Sequence, residues 1–123
     1  MSKKILLSEK IFVAGANGMA GSAICRMLRK AGYGQNEHGG RIMAPLRKEL
    51  DLLDLCSVKT WFKKNKPSVV ILAAAKVGGI LANSTQPASF LLENLKIQTN
   101  VIETAWISGV KRLLFLGSSC IYP

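Results

Sequence analysis

The chain is poor in the residues that build metal centres and disulfide networks. It holds three cysteines, Cys25, Cys56 and Cys120, and one histidine, His38. The cysteines form no Cys-x-x-Cys pair and are odd in number, which is typical of a reduced cytoplasmic protein and not of a disulfide scaffold. A single histidine in a polar loop offers no metal-ligand spacing, so we expect a solvated His38 and no metal site.

Long apolar runs are also missing. Lysines or polar residues interrupt every apolar stretch well before the length that a membrane span needs, and Ser8-Glu9-Lys10 ends the first one. The sequence therefore predicts neither a transmembrane helix nor a signal peptide, and we expect a cytoplasmic protein with no membrane partner.

Acidic residues are scarce, because 7 Asp and Glu stand against 17 Lys and Arg, a formal net charge of +10. Such a balance favours anionic partners, among them nucleotides, phosphosugars and nucleic acid. Four lysines, Lys59, Lys63, Lys64 and Lys66, however, collect toward the end of a predicted helix, where cations suit the helix dipole. We expect no nucleic-acid partner, with a basic nucleic-acid-binding domain as the alternative.

Apolar residues make up 49% of the chain, enough for one packed domain over residues 1–123. Strand candidates at 10–14, 41–44, 68–73 and 112–116 alternate with helical patterns over 19–30, from Asp54 to Pro67, and over 87–108. Asp54, together with Ser57, is a candidate cap of the second of these helices, and Pro67 is its expected stop. This alternation predicts an α/β fold, a Rossmann-like doubly wound parallel sheet that is truncated after about five strands.

A glycine-rich loop follows the first strand candidate directly, with the sequence Gly15-Ala16-Asn17-Gly18-Met19-Ala20-Gly21. Gly15 permits a tight turn, Gly18 lets backbone N–H groups approach phosphate oxygens, and Gly21 lets the helix pack close to the strand. We predict that these residues cradle the pyrophosphate of a dinucleotide. A tight turn without a ligand is the alternative.

The second strand candidate ends in Ala44-Pro45-Leu46-Arg47-Lys48, with no carboxylate before Glu49. NAD sites place an acidic residue here for the ribose hydroxyls, whereas the planar fork of Arg47 suits the 2′-phosphate of NADP. NADP is therefore favoured over NAD, unless Arg47 and Lys48 are simply exposed loop charges. Asp51 is a candidate contact of the adenine amino group, with an exposed turn carboxylate as the alternative.

The most specific stretches are Ala73-Ala74-Ala75-Lys76-Val77-Gly78-Gly79-Ile80 and Leu116-Gly117-Ser118-Ser119-Cys120-Ile121-Tyr122-Pro123. Together with the glycine loop and residues 47–54, they resemble the GDP-L-fucose synthases, NADPH-dependent 3,5-epimerase/4-reductases of the extended short-chain dehydrogenase/reductase superfamily. The resemblance spans almost the whole chain. It implies the N-terminal, cofactor-binding part of an enzyme that forms GDP-L-fucose from GDP-4-keto-6-deoxy-D-mannose.

The same resemblance implies roles for individual residues. The C4 carbonyl of the substrate acidifies the C3 and C5 protons, so that both carbons can be inverted before NADPH reduces C4. Ser118 would hydrogen-bond the C4 oxygen and Cys120 would act in the epimerisation, although Cys120 also fits a small buried residue after a strand. Lys76, Gly78 and Ser118 would bind substrate. The remaining candidate cofactor contacts are Lys48, Leu52, Ala74, Leu116, Gly117 and Ser118.

The chain also departs from the family pattern. Superfamily reductases depend on a Tyr-x-x-x-Lys pair, but Tyr33 is followed four positions on by Glu37, and Tyr122 is penultimate. His38 does not match the family's acid histidine, and Asn17 stands where some relatives carry arginine. We therefore expect no turnover by the chain itself. The alternatives are a non-catalytic NADP-binding or sensor module and another nucleotide-sugar epimerase or dehydratase.

The last strand candidate, residues 112–116, would lie at the edge of a sheet with the strand order 3-2-1-4-5. A bare apolar edge invites pairing with another chain. We therefore expect a homodimer, or aggregation, through this strand.

Overall fold

A computed structural model describes residues 5–15, 19–73 and 87–115. Strands and helices alternate through these ranges, and the predicted strand bounds are met to within one residue at each end. The elements are β1 (Lys10–Ala14), α1 (Met19–Lys30), β2 (Arg41–Met43), α2 (Leu55–Asn65), β3 (Val69–Leu72), α3 (Pro87–Ile107) and β4 (Arg112–Phe115). A short 3₁₀ turn, Asn36–His38, lies between α1 and β2.

The four strands of the described ranges form one parallel sheet in the order β2-β1-β3-β4. The chain winds outward from β1 to β2 and then returns to the other side of β1 for β3 and β4. The winding direction therefore reverses between β1 and β3, which confirms the Rossmann-like sheet and places β4 at an edge. About five strands were expected. The described residues between β2 and α2 form turns, so they add no strand.

Alternate residues of the two central strands face opposite layers. Ile11 and Val13 of β1 pack with α1, whereas Phe12 and Ala14 pack with α2 and α3. The residues of β3 divide in the same way, and all four are buried. Strands covered on both faces read as continuous apolar runs, and this is why β1 and β3 were recognisable in the sequence.

The second helix has the ends that the sequence predicts. Asp54 caps it, because the Asp54 side chain accepts hydrogen bonds from the Cys56 backbone N–H (3.1 Å) and the Ser57 hydroxyl (2.9 Å). The helix stops at Lys66, which takes a left-handed conformation immediately before Pro67. The predicted cap and stop are both confirmed.

The connection from α1 to β2 is anchored more firmly than a plain surface loop. The Tyr33 hydroxyl donates a hydrogen bond to the Ile5 carbonyl (2.8 Å), and Gly40 is buried against the carbonyl oxygen of Leu7. His38 is exposed, as expected. None of the helices in the described ranges is long and apolar enough to cross a membrane.

Candidate dinucleotide-binding site

The carboxyl ends of β1 and β3 lie side by side at the point where the winding reverses. The Ala73 backbone N–H donates a hydrogen bond to the Ala14 carbonyl (2.8 Å), so pairing continues to the last residue before Gly15. Gly15 then turns with φ of 86°, a left-handed conformation that favours glycine. In open α/β sheets, ligands bind in the crevice outside this position.

Helix α1 begins at Met19, soon after that turn. Its first turn carries no acidic residue. No carboxylate there neutralises the positive end of the helix dipole or repels a bound phosphate. Gly21 is buried and Ala20 is exposed. Ala16, Asn17 and Gly18 lie outside the described residues, so their predicted contacts stay predictions.

Arg47 and Lys48 lie in a turn that follows β2, and both are exposed. The turn is closed by the backbone N–H groups of Glu49 and Leu50, which both donate to the Leu46 carbonyl (2.9 Å). The Glu49 carboxylate folds back and accepts a hydrogen bond from the Leu46 N–H (3.3 Å). The first carboxylate after β2 is therefore engaged with the backbone of this turn, and two cations are presented to solvent.

The next segment, residues 50–54, is called here the Asp51 turn. One Asp51 carboxylate oxygen accepts a hydrogen bond from the Leu53 N–H (3.0 Å), and the Asp51 carbonyl accepts one from the Asp54 N–H (3.1 Å). Asp51 is exposed, whereas Leu52 is half-buried and packs against the core cluster between the sheet and helices α2 and α3. The Asp51 side chain is therefore exposed on a turn that two hydrogen bonds hold in place.

Asn100 on α3 is a neighbour of this turn that the sequence reasoning missed. Its side-chain amide donates a hydrogen bond to the Leu52 carbonyl (2.9 Å). The available signal was a polar residue at helical spacing from Ile97 and Thr104, on the face of α3 that packs toward the core. A capping pattern or a motif search does not detect such a residue.

Besides Ala16, Asn17 and Gly18, seven further predicted site residues lie outside the described residues: Ala74, Lys76, Gly78, Leu116, Gly117, Ser118 and Cys120. In chain order they follow β3 and β4, so their roles stay predictions. Within the described ranges, no group of three or more His, Cys, Asp and Glu side chains is arranged to hold a metal ion.

Comparisons with known proteins agree with this architecture. The chain is 54% identical over 116 residues to GDP-L-fucose synthase 1 of Arabidopsis thaliana, and the aligned region covers 94% of this chain and 34% of that protein. It is 48% identical over 123 residues to a GDP-L-fucose synthase of Sinorhizobium fredii, covering 100% of this chain and 37% of the relative. The chain thus spans about a third of the length of these curated relatives.

Among solved structures, the chain is similar to a GDP-mannoheptose C4 reductase from Campylobacter jejuni with NADP bound. The TM-score is 0.83 at 38% sequence identity, over 98% of this chain and 36% of that one. The sequence model of the NAD dependent epimerase/dehydratase family matches residues 11–123. This range includes the glycine loop, the turns after β2 and, apart from Lys10, the four strands of the described ranges. The chain therefore belongs to the NAD dependent epimerase/dehydratase family.

Proposed function

We propose that the chain binds NADP and forms the cofactor-binding part of an NADPH-dependent GDP-4-keto-6-deoxy-D-mannose 3,5-epimerase/4-reductase, which makes GDP-L-fucose. The observation that carries the proposal is the left-handed Gly15 at the winding reversal, ahead of a helix whose first turn has no acidic residue. A dinucleotide fits this end of the sheet, because the Gly15 position carries no side chain and the helix end favours an anion.

The predicted cofactor contacts near β1 and β2 have separate proposed parts in holding the cofactor. The glycine loop, Gly15 to Gly21, binds the pyrophosphate through backbone N–H groups. Arg47 and Lys48 bind the 2′-phosphate, since both are exposed cations in the turn that follows β2, while the Glu49 carboxylate is bonded within that turn. Asp51 accepts a hydrogen bond from the adenine amino group. The bound cofactor would supply the hydride for reduction at C4 of the sugar.

The substrate-facing roles rest on the resemblance and on the two GDP-L-fucose synthases to which the chain is similar. Ser118 donates a hydrogen bond to the C4 oxygen, where negative charge grows during reduction. Cys120 carries protons to or from the carbons next to the carbonyl, and Lys76 and Gly78 contact the nucleotide sugar. The sequence carries no Tyr-x-x-x-Lys pair, so we propose that the chain shows no turnover on its own.

We also propose that the chain forms a homodimer through β4. Leu113, Leu114 and Phe115 are 36%, 39% and 42% exposed, on an edge that pairs only with β3 within the described ranges. An apolar strand edge of this kind is a template for pairing with another chain. The cytoplasm is the proposed location, because the cysteine usage fits a reducing compartment.

The cofactor proposal is tested by calorimetric titration of the chain with NADPH, NADH and a DNA oligonucleotide. NADPH should bind more tightly than NADH, and Arg47→Ala should weaken NADPH by about ten-fold or more while leaving NADH nearly unchanged, because one charge-assisted hydrogen bond is lost. Arg29→Ala is the matched control, since it removes the same charge from an exposed position in the last turn of α1.

Two outcomes would contradict the proposal. Absence of NADPH binding by the folded chain would remove the cofactor function. Oligonucleotide binding with a steep salt dependence, and no dinucleotide binding, would favour the nucleic-acid-binding alternative. Oxidation of NADPH by the chain in the presence of the 4-keto sugar would overturn only the proposed lack of turnover.

A further inference from the structure

We propose that Asn100 is a positioning residue that sets the orientation of the Asp51 carboxylate in the nucleotide site. The inference rests on the proposed NADP function and adds to it a residue from a distant helix. Asn100 and Leu52 are separated by 48 positions in the chain, and their hydrogen bond joins α3 to the Asp51 turn.

Both polar groups of the peptide unit between Leu52 and Leu53 are engaged in hydrogen bonds. Its carbonyl accepts the hydrogen bond from the Asn100 amide (2.9 Å), and its N–H donates to the Asp51 carboxylate (3.0 Å). A peptide unit is planar, so fixing its carbonyl also fixes the direction of its N–H. The Asn100 amide therefore acts on the Asp51 carboxylate through one rigid group.

The helix that carries Asn100 is packed into the core. Val101 and Ala105 of α3 are buried in the core cluster between the sheet and helices α2 and α3, and Ile97 packs against the same cluster. The Leu52 side chain contacts that cluster as well, so the side chain and the carbonyl of Leu52 are both held on the α3 side. This leaves the Asp51 side chain exposed to a ligand while the turn beneath it is fixed.

Different hydrogen bonds hold the shape of the Asp51 turn and its position relative to α3. The bonds within the Asp51 turn, together with the Asp54 cap on α2, fix the local shape of the segment. The bond from Asn100 ties that shape to a different element packed on the sheet. Without it, the Leu52–Leu53 peptide can rotate and take the Asp51 carboxylate out of line with the adenine, and the Leu52 carbonyl loses a partner.

The test is NADPH and NADH binding to the full chain carrying Asn100→Asp, an isosteric change that replaces the amide donor with an oxygen facing the Leu52 carbonyl. We expect both dissociation constants to rise by about ten-fold, equivalent to the loss of one well-placed hydrogen bond. The two rise together because adenine is common to both dinucleotides, whereas Arg47→Ala should affect NADPH alone.

The matched control is Asn65→Asp. The Asn65 amide also donates to a backbone carbonyl at 2.9 Å, that of Trp61, and it is partly buried in the same way, but it lies at the end of α2 away from the Asp51 turn. Both variants should lose similar stability in a thermal melt, and only Asn100→Asp should lose dinucleotide affinity. If Asn100→Asp fails to fold, Asn100→Ala removes the donor without adding a charge and carries the same expectation at a smaller, several-fold size.

A double-mutant cycle with Asp51→Ala distinguishes positioning from general support of the fold. If Asn100 acts through the Asp51 carboxylate, its substitution adds little to the loss already caused by Asp51→Ala. Additive losses would overturn the inference, and so would an unchanged affinity in the folded Asn100 variant. Failure of the unmutated chain to bind NADPH would instead overturn the proposed function on which the inference rests, and the two failures are thereby told apart.

Discussion

The two edge strands of the sheet, β2 and β4, differ in what covers them. The connection between α1 and β2 packs on one face of β2, where Gly34 lies close to the Ile42 side chain, and Met43 on the other face is buried. In the described ranges β4 has no such cover, and Leu113, Leu114 and Phe115 are each more than a third exposed. Burial of an edge strand thus depends on the chain laid beside it, and the apolar character of the strand itself does not decide it.

The register of the sheet pairs a buried residue of β3 with an exposed residue of β4. Ile71 of β3 pairs with Leu114 of β4, so the two side chains project from the same face of the sheet. Ile71 is 4% exposed and packs in the cluster with α1, whereas Leu114 is 39% exposed. Two similar residues in neighbouring positions therefore have very different environments.

The largest expected effect comes from placing a lysine at each of these two positions. Ile71→Lys buries an unpaired charge and should cost about 4 kcal/mol or more, a large part of the roughly 5–15 kcal/mol that stabilises an ordinary domain. Leu114→Lys should leave the fold intact and reduce self-association, because a lysine on an edge strand discourages edge-to-edge pairing. Circular dichroism and light scattering after size-exclusion chromatography measure the two results.

The Leu114 result can contradict the proposed dimer in two ways. A chain that is monomeric at high concentration before mutation shows that β4 is not an assembly edge. A dimer unaffected by Leu114→Lys shows that the association uses another surface.

The second prediction tests the cover over β2. Gly40→Ala should destabilise the fold by about 3 kcal/mol, since the added Cβ would overlap the backbone carbonyl of Leu7, which cannot move aside as a flexible side chain could. Gly39→Ala is the control, because its Cβ would meet open space and only the left-handed backbone (φ of 74°) opposes it, at a cost of about 1 kcal/mol. Urea denaturation compares the two. Equal losses of stability in the two variants would mean that the close contact between Gly40 and the Leu7 carbonyl does not matter for folding.

A third, smaller effect is expected at the hydrogen bond that joins the α1–β2 connection to Ile5. Tyr33→Phe removes the hydroxyl that donates to the Ile5 carbonyl (2.8 Å) and should cost about 1 kcal/mol, the usual net value of one hydrogen bond. Hydrogen exchange should show faster exchange in residues 32–40 and unchanged protection in β3. Uniform loss of protection across the sheet would contradict a tether that acts locally.

The smallest effect is expected on the β4 side. Lys111, just before β4, contacts the largely buried Glu9 carboxylate at 3.4 Å, but its own side chain is 71% exposed. Lys111→Ala should therefore cost only about 0.5 kcal/mol, and the difference should shrink in high salt because the lysine charge is screened. Urea titrations at low and high salt check this value. A loss as large as that of Gly40→Ala would show that β4 is anchored mainly through this ion pair.

Sequence reasoning was most successful where one local pattern controls the structure. The glycine after β1, the Asp54 cap with Ser57, and the stop at Pro67 were all predicted, because a turn, a cap and a proline act within a few residues. It was less successful on α3, where Leu95 and Ile102 keep helical apolar spacing but are 49% and 36% exposed. Helical spacing finds a helix, but it does not tell which of several apolar stripes the fold covers.

The candidate site divides in the same way. Arg47 and Lys48 could be placed after β2 from the order of residues alone, and the structure adds that Glu49 turns back onto Leu46. The Asn100 bond to Leu52 was not predictable, since no pattern within one element links positions so far apart.

The sequence by itself determined the alternation of strands and helices, the turn at Gly15, the positions of the basic residues after β2 and the resemblance on which the substrate proposal stands. These features depend on backbone preferences and on neighbours within about one helical turn. The tertiary structure alone decided the register in which the strands pair, the unequal cover of β2 and β4, and the tie from Asn100 to the Asp51 turn. Each of these depends on segments that are distant in the chain and meet only when the sheet forms.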